Sequence, residues 1–327
     1  MAQTNDAGIY DLLKRYRGEG PGAAVAVIRN GTSAYYVSGY ASLELRERIT
    51  SATNFRLASI TKQFTAAAIL LLIEDGKLTL EDRAGRWLPS LPPATNTMTL
   101  RHLLTHTSGL VDYEDVIPAT LMDQLHDDDV LQLLESQDRT YFAPGTSYRY
   151  SNSGYALLAL IVGKASGLSF AQFLDARIFR PLGMLNTVAH EDGVSRMMHR
   201  AFGYSEVDHA WQRTDQSQTS AVLGDGGIYS SLDDLAKWDA ALYDERLLKS
   251  SSLRMAFAPS TRTDDPSIEY GFGWRITGET VWHSGETIGF RNVIVRYPQR
   301  RLTVIMLTNR NEPAPYATAL EIARLNQ

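Results

Sequence analysis

The sequence contains no cysteine among its 327 residues. Disulfide bonds, thiolate-bound metals and cysteine nucleophiles are therefore excluded. The chain also lacks an excess of basic residues, because 32 Lys and Arg stand against 37 Asp and Glu, which gives a net charge of -5. A nucleic-acid-binding protein normally carries a basic face, so we expect no nucleic-acid partner.

Long apolar runs are missing as well. The longest, AAAILLLI and YALLALIVG, fall well short of the roughly 20 residues that span a bilayer, so they predict buried helices and no transmembrane segment. The start, MAQTNDAG, has neither the basic region nor the apolar stretch of a signal peptide. AQT would suit a mature periplasmic or secreted protein to which Met1 was added; otherwise a cytoplasmic location is expected. The oligomeric state stays open.

The order of the predicted elements indicates an α+β fold. Two strands joined at Asn30-Gly31 lie near the start, helical segments fill the middle, and strands return towards the end. We expect an antiparallel sheet flanked by helices, formed by residues 1–85 and 221–327, with a mostly helical inserted subdomain over residues 86–220. The active site is expected in the cleft between the two parts.

The segment LASITKQFTA carries the first chemical signal. Of the lysines in the chain, only Lys62 has a serine three residues before it, Ser59. Residues three apart on a helix share a face, with Cβ atoms roughly 5–6 Å apart. A serine needs an adjacent base to act as a nucleophile, and a desolvated lysine can serve or can position another base. The helix start also supplies N–H groups that suit an oxyanion.

Two further patterns are each unique in the chain. Tyr-x-Asn occurs only at Tyr150 and Asn152, in YRYSNSGY, and His/Lys-x-Gly occurs only at His283 and Gly285, in VWHSGET. Each pattern alone is weak, since such short combinations arise by chance. All three in this order, each in its expected setting, form a specific signal.

With these patterns, the chain resembles the serine β-lactamase and penicillin-binding-protein superfamily. The branch is the one with class C β-lactamases, D-alanyl-D-alanine carboxypeptidases, D-aminopeptidases and family VIII esterases. The segments LRHLLTHTSGL, FAPGTSYRYSNSGYALLALIV, RPLGMLNT, GDGGIYSSLDDLAKW and YGFGW support the resemblance, which covers roughly Ala24 to Asn309. It implies a β-lactamase/transpeptidase-like fold, and no cofactor or metal.

The resemblance also implies roles for individual residues. Ser59 would be the nucleophile that forms an acyl-enzyme, Lys62 would hold it and share its proton, and Tyr150 would be the general base that later protonates the leaving group. The oxyanion hole would consist of the backbone N–H groups of Ser59 and Glu286. The substrate-binding residues would be Asn152, His283, Ser284, Gly285 and Glu286.

Two positions depart from the class C pattern. His283 stands where class C β-lactamases carry lysine, and this form resembles D-aminopeptidases and some D-alanyl-D-alanine carboxypeptidases, so strong β-lactamase activity is not expected. Glu286 places a carboxylate beside the oxyanion hole. Pointing inward it would disfavour anionic substrates or select an amino group; pointing outward, which we favour, it would be a rim residue.

Other candidate sites are weaker. His102 and His106 have a spacing that could bind metal, but no third ligand is evident, so no metal is expected. GDGGIY lacks the context of a phosphate loop and predicts a close-approach turn beside the cleft. Gly-x-Ser-x-Gly is absent, which disfavours an α/β-hydrolase lipase.

The sequence thus predicts a serine hydrolase that cleaves amides or esters through an acyl-Ser59 intermediate. Its substrate is a small molecule or a peptide, and His283 favours D-amino-acid peptides, as in D-aminopeptidases or carboxypeptidases. A family VIII-type carboxylesterase and a weak class C-like β-lactamase are the alternatives. A penicillin-binding sensor or scaffold without turnover is the non-enzyme alternative.

Overall fold

The computed structural model describes residues 6–327. The signal-peptide and mature-start predictions rest mainly on residues 1–5, which lie outside the described residues. The helices are α1 Asp6–Leu12, α2 Thr61–Glu74, α3 Ala84–Trp87, α4 Leu100–Leu104, α5 Asp127–Glu135, α6 Asn152–Ser166, α7 Phe170–Leu174, α8 Leu223–Gly226, α9 Leu232–Ala241, α10 Ser250–Phe257 and α11 Tyr316–Arg324. Short 3-10 turns include Ala58–Ile60 and Tyr113–Asp115, and a π-helical turn spans Asp175–Phe179.

The strands are mostly short outside one long sheet. They are β1 Ala23–Arg29, β2 Thr32–Ser38, β3 Tyr40–Ser42, β4 Glu47–Arg48, β5 Phe55–Arg56, β6 Val188–Ala189, β7 Tyr204–Val207, β8 Ala210–Arg213, β9 Ile228–Ser230, β10 Thr261–Arg262, β11 Glu269–Tyr270, β12 Arg275–Thr277, β13 Thr280–Thr287, β14 Phe290–Tyr297 and β15 Leu302–Thr308.

The central element is an eight-stranded sheet in the order β10-β11-β12-β13-β14-β15-β1-β2. Each neighbouring pair is antiparallel, and the first and last parts of the chain meet where β1 pairs with β15, with Val25 opposite Met306. The predicted α+β class with an antiparallel sheet is therefore confirmed.

Helices pack on both faces of the sheet, and the side chains of β1 point alternately towards one face and the other. Val25 and Val27 face a core shared with α1 and α11, whereas Ala24 and Ala26 face the larger core that contains α2 and α6. Successive strand residues point to opposite faces, so a strand buried on both sides has apolar residues at every position. The β1 sequence AAVAVI meets this requirement.

Helix α2 runs through the larger core and is buried on all sides. Its residues from Thr61 to Leu72 are buried, including Lys62 at 0% exposure. A helix that is apolar around most of its circumference belongs in the interior of a protein. The charged Lys62 at its first turn therefore requires polar partners, because an unpaired buried charge is costly.

The middle of the chain is less uniformly helical than the sequence indicated. Residues 204–213 form the hairpin of β7 and β8, paired from Tyr204 with Arg213 to Val207 with Ala210. Among the strands that return towards the end, the segment YGFGWRIT divides into β11 and β12, because Gly273 has a φ of 76° and turns the chain. The division into subdomains at residues 86 and 220 stays a prediction.

In the described part of the chain, no single helix is both long and apolar enough to cross a membrane. The helical segments Asn152–Ser166 and Phe170–Phe179 reach that length and apolar character only when they are taken together, and the chain bends by 74° between them.

Candidate active site

Ser59 lies in the 3-10 turn that leads into α2, and the turn is held in an unusual backbone conformation. Ala58, directly before Ser59, has a φ of 50°, a left-handed value that a residue with a Cβ rarely adopts. On the other side of the turn, a Cβ on Gly285 would stand 2.0 Å from the Leu57 carbonyl oxygen. Strand β13 therefore packs directly onto the backbone that presents Ser59.

Lys62 is hydrogen-bonded to three acceptors. Its Nζ lies 3.1 Å from Ser59 Oγ, 2.7 Å from Asn152 Oδ1 and 3.0 Å from the Asp225 carbonyl oxygen. An ammonium group has three N–H donors, so each donor can meet one acceptor. The predicted contact between Ser59 and Lys62 is thus present, and Asn152 from the second motif joins it directly.

Asn152 is fixed from several directions at the start of α6. Its backbone N–H donates to Asp112 Oδ2 at 2.7 Å, and its Nδ2 donates to Glu114 Oε1 at 2.9 Å. Burial raises the pKa of both the Asp112 and the Glu114 carboxyl groups, although the nearby positive charge of Lys62 acts in the opposite direction. Asn152 thus links the lysine to two acidic side chains.

Tyr150 lies next to the same lysine. Lys62 Nζ is 5.0 Å from the centre of the Tyr150 ring, and the Arg275 guanidinium carbon is 5.5 Å from it. The Tyr150 hydroxyl is buried, and no polar atom of the described residues is hydrogen-bonded to it. Two cations therefore stand close to a phenol that is not engaged by the protein.

His283 lies in the buried part of β13, with 1% of its surface exposed. Its Nδ1 donates to the Ser284 carbonyl oxygen at 2.6 Å, so its Nε2 can accept the Tyr270 hydroxyl at 2.9 Å. Burial and the nearby Arg275 charge lower the pKa of His283 well below its usual value, which keeps the ring neutral. Its ring centre is 6.2 Å from that of Tyr150.

Some of the predicted positions border a small open cavity of about 40 Å³. Ser59, Asn152 and Glu286 line it, together with Glu114 and Asp225. The Glu286 side chain is 56% exposed and its Oε2 is 3.8 Å from Arg291 Nε. Glu286 thus stands at the rim of the cavity, pairing loosely with a cation outside it. Ser284 is partly buried in β13.

The GDGG stretch forms α8 and contacts the site through Asp225. A Cβ on Gly224 would lie 2.3 Å from the Tyr155 carbonyl oxygen, so the glycine permits close packing of α8 on α6. Asp225 Oδ2 accepts the Tyr113 hydroxyl at 2.9 Å. Burial raises the pKa of Asp225 to about 7, although the Lys62 charge lowers it. The predicted close approach is present at Gly224, although the stretch forms a short helix and not a turn.

Several residues of this region were not singled out from the sequence as parts of the site: Asp112, Tyr113, Glu114, Asp225, Tyr270 and Arg275. Asp225 and Tyr270 belong to segments that carried the family resemblance, and Arg275 directly follows one of them, YGFGW. The acidic stretch Asp112–Asp115 follows HTSGL after one residue, Val111, and that position close to a resemblance segment was the available signal.

His102 and His106, the pair whose spacing could bind metal, each accept a backbone hydrogen bond. No group of three or more potential metal-ligating side chains occurs in residues 6–327. His102 Nδ1 accepts the Thr99 N–H, and His106 Nδ1 accepts the Ser151 N–H, so both rings already serve backbone groups.

A family model described as Beta-lactamase matches residues 10–327. The chain belongs to the beta-lactamase family. Among curated relatives of this beta-lactamase family member, penicillin-binding protein 4* of Bacillus subtilis (strain 168) is 36% identical over 90% of the chain and 70% of its own length. A D-aminopeptidase of Gluconobacter oxydans (strain 621H) is 31% identical over 97% of the chain. The chain spans only 61% of that relative's length.

Solved structures of the beta-lactamase family show the same fold. A D-amino acid amidase from Ochrobactrum anthropi SV3, complexed with L-phenylalanine amide, superposes with a TM-score of 0.85 at 26% identity, covering 98% of this chain and 99% of its own. A penicillin-binding protein from Bacillus halodurans gives 0.85 at 27% identity over 97% and 98%. An octameric penicillin-binding protein homologue from Pyrococcus abyssi gives 0.85 at 26%, over 98% and 76%. The predicted family is confirmed, and these relatives support a hydrolase.

Proposed function

We propose that the chain is a serine hydrolase that cleaves amide or ester bonds through an acyl-Ser59 intermediate. The observation that carries the proposal is the contact of 3.1 Å between Lys62 Nζ and Ser59 Oγ, with the other two Lys62 donors held by Asn152 and the Asp225 carbonyl. A fixed cation beside a serine at a helix start holds the hydroxyl in one place. Such positioning is a large part of what a nucleophilic site supplies.

In the proposed acylation step, Tyr150 acts as the phenolate: its oxygen takes the Ser59 proton and becomes the neutral phenol, while Ser59 Oγ bonds to the substrate carbonyl carbon. Lys62 and Arg275, whose charged groups lie 5.0 and 5.5 Å from the centre of the Tyr150 ring, stabilise the negative charge of the phenolate before this transfer. By analogy with the family, the N–H groups of Ser59 and Glu286 hold the oxyanion.

Collapse of the tetrahedral intermediate expels the amine or alcohol, which takes the proton back from Tyr150. Water then attacks the acyl carbonyl carbon and gives a proton to the same oxygen of Tyr150. Tyr150 passes this proton to Ser59 Oγ as the bond between Ser59 and the acyl group breaks, which releases the acid and free Ser59. Each step returns the general base to its starting state, so one residue serves acylation and deacylation in turn.

The substrate class that we favour is a D-amino-acid amide or peptide with a free amino group. Relatives named D-aminopeptidase and D-amino acid amidase act on such compounds by name. The cavity fits this class, because the carboxyl groups of Glu114 and Glu286 border it beside Ser59. A substrate ammonium group between them would gain charge-assisted hydrogen bonds.

A second candidate is a carboxypeptidase, and Arg275 favours it. Within residues 6–327 no carboxylate pairs with Arg275, and its buried Nε has no hydrogen-bond partner. A guanidinium beside Tyr150 without an ion pair suits a carboxylate at the end of a peptide substrate. Small esters and β-lactams remain further substrate candidates, and a penicillin-binding sensor without turnover remains the non-enzyme candidate.

The decisive experiment is a parallel rate panel on the intact protein and on the Ser59→Ala variant. The substrates are a D-amino-acid anilide, a D-alanyl-D-alanine peptide, p-nitrophenyl butyrate and nitrocefin. We expect turnover of the ester and of one peptide-class substrate, and none with Ser59→Ala. Wild-type rates in Ser59→Ala would refute Ser59 as the nucleophile.

Intact mass after exposure to a penicillin and to a p-nitrophenyl ester separates the enzyme from the sensor. A transient acyl adduct with product release supports the hydrolase. A long-lived penicillin adduct, with no turnover of any panel substrate, would instead establish the sensor.

A further inference from the structure

His106 lies in the resemblance segment LRHLLTHTSGL, and the mechanism above does not use it. It follows α4 in a left-handed conformation with a φ of 59°, and 1% of its surface is exposed. Histidine adopts this conformation more often than most residues, but a buried ring there still needs supporting contacts. Its ring lies among those of Tyr148, Tyr150, Tyr155 and Tyr270, and the nearest ring centre is that of Tyr150, at 4.3 Å.

Three contacts from His106 hold Tyr150. The His106 carbonyl oxygen accepts the N–H of Arg149 at 2.9 Å, and its Nδ1 accepts the N–H of Ser151 at 3.1 Å. The backbone is thus tied immediately before and immediately after Tyr150. The two rings also pack against each other, with centres 4.3 Å apart and planes inclined at 34°.

The charge state of His106 suits this contact. Because Nδ1 accepts an N–H, the neutral ring carries its proton on Nε2. Burial lowers the pKa of His106 well below its usual value, and the charges of Lys62 and Arg275 lower it further. The ring is therefore a neutral acceptor at physiological pH and adds no third cation beside Tyr150.

We infer that His106 is a positioning residue for Tyr150, fixing the phenol at the distance and angle from Ser59 that proton transfer requires. The inference rests on the proposed function, in which Tyr150 is the general base. His106 does not touch the substrate here; it acts through Tyr150. A displacement of about 1 Å at such a group can lower a rate on the order of a hundredfold.

Two substitutions separate the contacts. His106→Phe keeps a ring against Tyr150 but leaves the Ser151 N–H without its acceptor. His106→Asn places an amide oxygen near the Nδ1 position and tolerates the left-handed backbone, but removes the ring. His102→Phe is the matched control, because His102, in the helix α4 that precedes His106, also accepts a backbone N–H at its Nδ1, that of Thr99 at 3.2 Å.

Steady-state kinetics with p-nitrophenyl butyrate, at a temperature where all variants are folded by circular dichroism, supply the first readout. We expect kcat to fall on the order of a hundredfold in His106→Phe and about tenfold in His106→Asn, with KM within threefold of wild type. His102→Phe should retain kcat within threefold. Folded His106 variants with wild-type kcat would overturn the inference.

The second readout is a double-mutant cycle with Tyr150→Phe. A general packing defect would lower kcat by the same factor with and without the Tyr150 hydroxyl, whereas a positioning role would not. If His106 acts through Tyr150, His106→Asn should change kcat less than threefold in the Tyr150→Phe background. A full tenfold loss in that background would refute positioning of Tyr150. If Ser59→Ala or Tyr150→Phe alone kept wild-type kcat, the proposed function itself would fail. This result can be distinguished from failure of the positioning role, because it does not involve the His106 variants.

Discussion

The Leu57 carbonyl oxygen occupies the space that a Cβ on residue 285 would need, only 2.0 Å from that position. Gly285 therefore lets β13 lie against the backbone that enters the Ser59 turn. The family resemblance implied that this glycine binds substrate. In the structure the close approach is made by the protein's own chain, which brings Ser59 and Glu286 to one cavity.

Gly285→Ala should lower kcat/KM strongly, and its effect on the free energy of unfolding should be smaller. The new methyl group would push β13 away from Leu57 and separate the N–H groups of Ser59 and Glu286. We expect kcat/KM to fall on the order of a hundredfold, since one oxyanion donor is worth roughly that much. Ester hydrolysis measures the effect, with Gly85→Ala as the control because a Cβ there meets nothing within 4 Å. Equal activity in both variants would contradict the role of this packing.

Tyr150→Phe should reduce turnover by a factor on the order of 10²–10⁴, the usual share of general acid–base catalysis. The hydroxyl makes no hydrogen bond within the described residues, so its loss should leave the melting temperature almost unchanged. Tyr204→Phe is the control: that hydroxyl donates to Glu44 at 2.5 Å, and its loss should lower stability without lowering the rate per folded molecule. A Tyr150→Phe enzyme with wild-type turnover would require another base.

The amino-group preference can be tested on the two carboxylates of the cavity. Glu114→Gln and Glu286→Gln remove the charge and keep the shape. We expect KM for a D-amino-acid anilide to rise about tenfold or more in at least one variant, since a charge-assisted hydrogen bond is worth roughly 1.5–3 kcal/mol. KM for p-nitrophenyl butyrate, which has no amino group, should stay unchanged. Glu47→Gln, on the exposed strand β4, is the control. Unchanged KM in both cavity variants would remove this support for an aminopeptidase.

The sequence predicted the parts of the site that depend on local geometry. Ser59 and Lys62 are one helical turn apart, so their contact follows from helix spacing alone. Tyr150 and Asn152 are only two residues apart in the chain, directly before and at the start of α6, so their proximity is local as well. The strand alternation that sends Trp282 away from His283 was also predictable, and Trp282 stacks on Tyr316 with ring centres 4.1 Å apart.

The acidic surroundings of Lys62 were not predictable in the same way. Asp112, Glu114 and Asp225 come from two distant segments, and no local period marks a carboxylate as buried rather than solvated. The burial of Asp225 follows from the packing of α8 on α6, which is fixed by tertiary contacts such as Gly224 against Tyr155. The internal hydrogen bonds of His283 likewise depend on Tyr270, which lies on another strand.

Asp225→Asn should change how stability depends on pH. Burial raises the pKa of Asp225 to about 7 in the folded chain, above its ordinary value of 3.8, so between these values the folded state binds more protons than the unfolded state. The wild-type protein should therefore lose stability relative to the variant as pH rises from about 4 to 7, by at most about 4 kcal/mol. Thermal unfolding at pH 4.5, 6 and 8 (roughly the limits of that window) measures the difference. Asp128→Asn, at an exposed neighbour of another buried acid, is the control. A difference in melting temperature between wild type and Asp225→Asn that stays constant with pH would show that this carboxyl is already ionised in the folded protein.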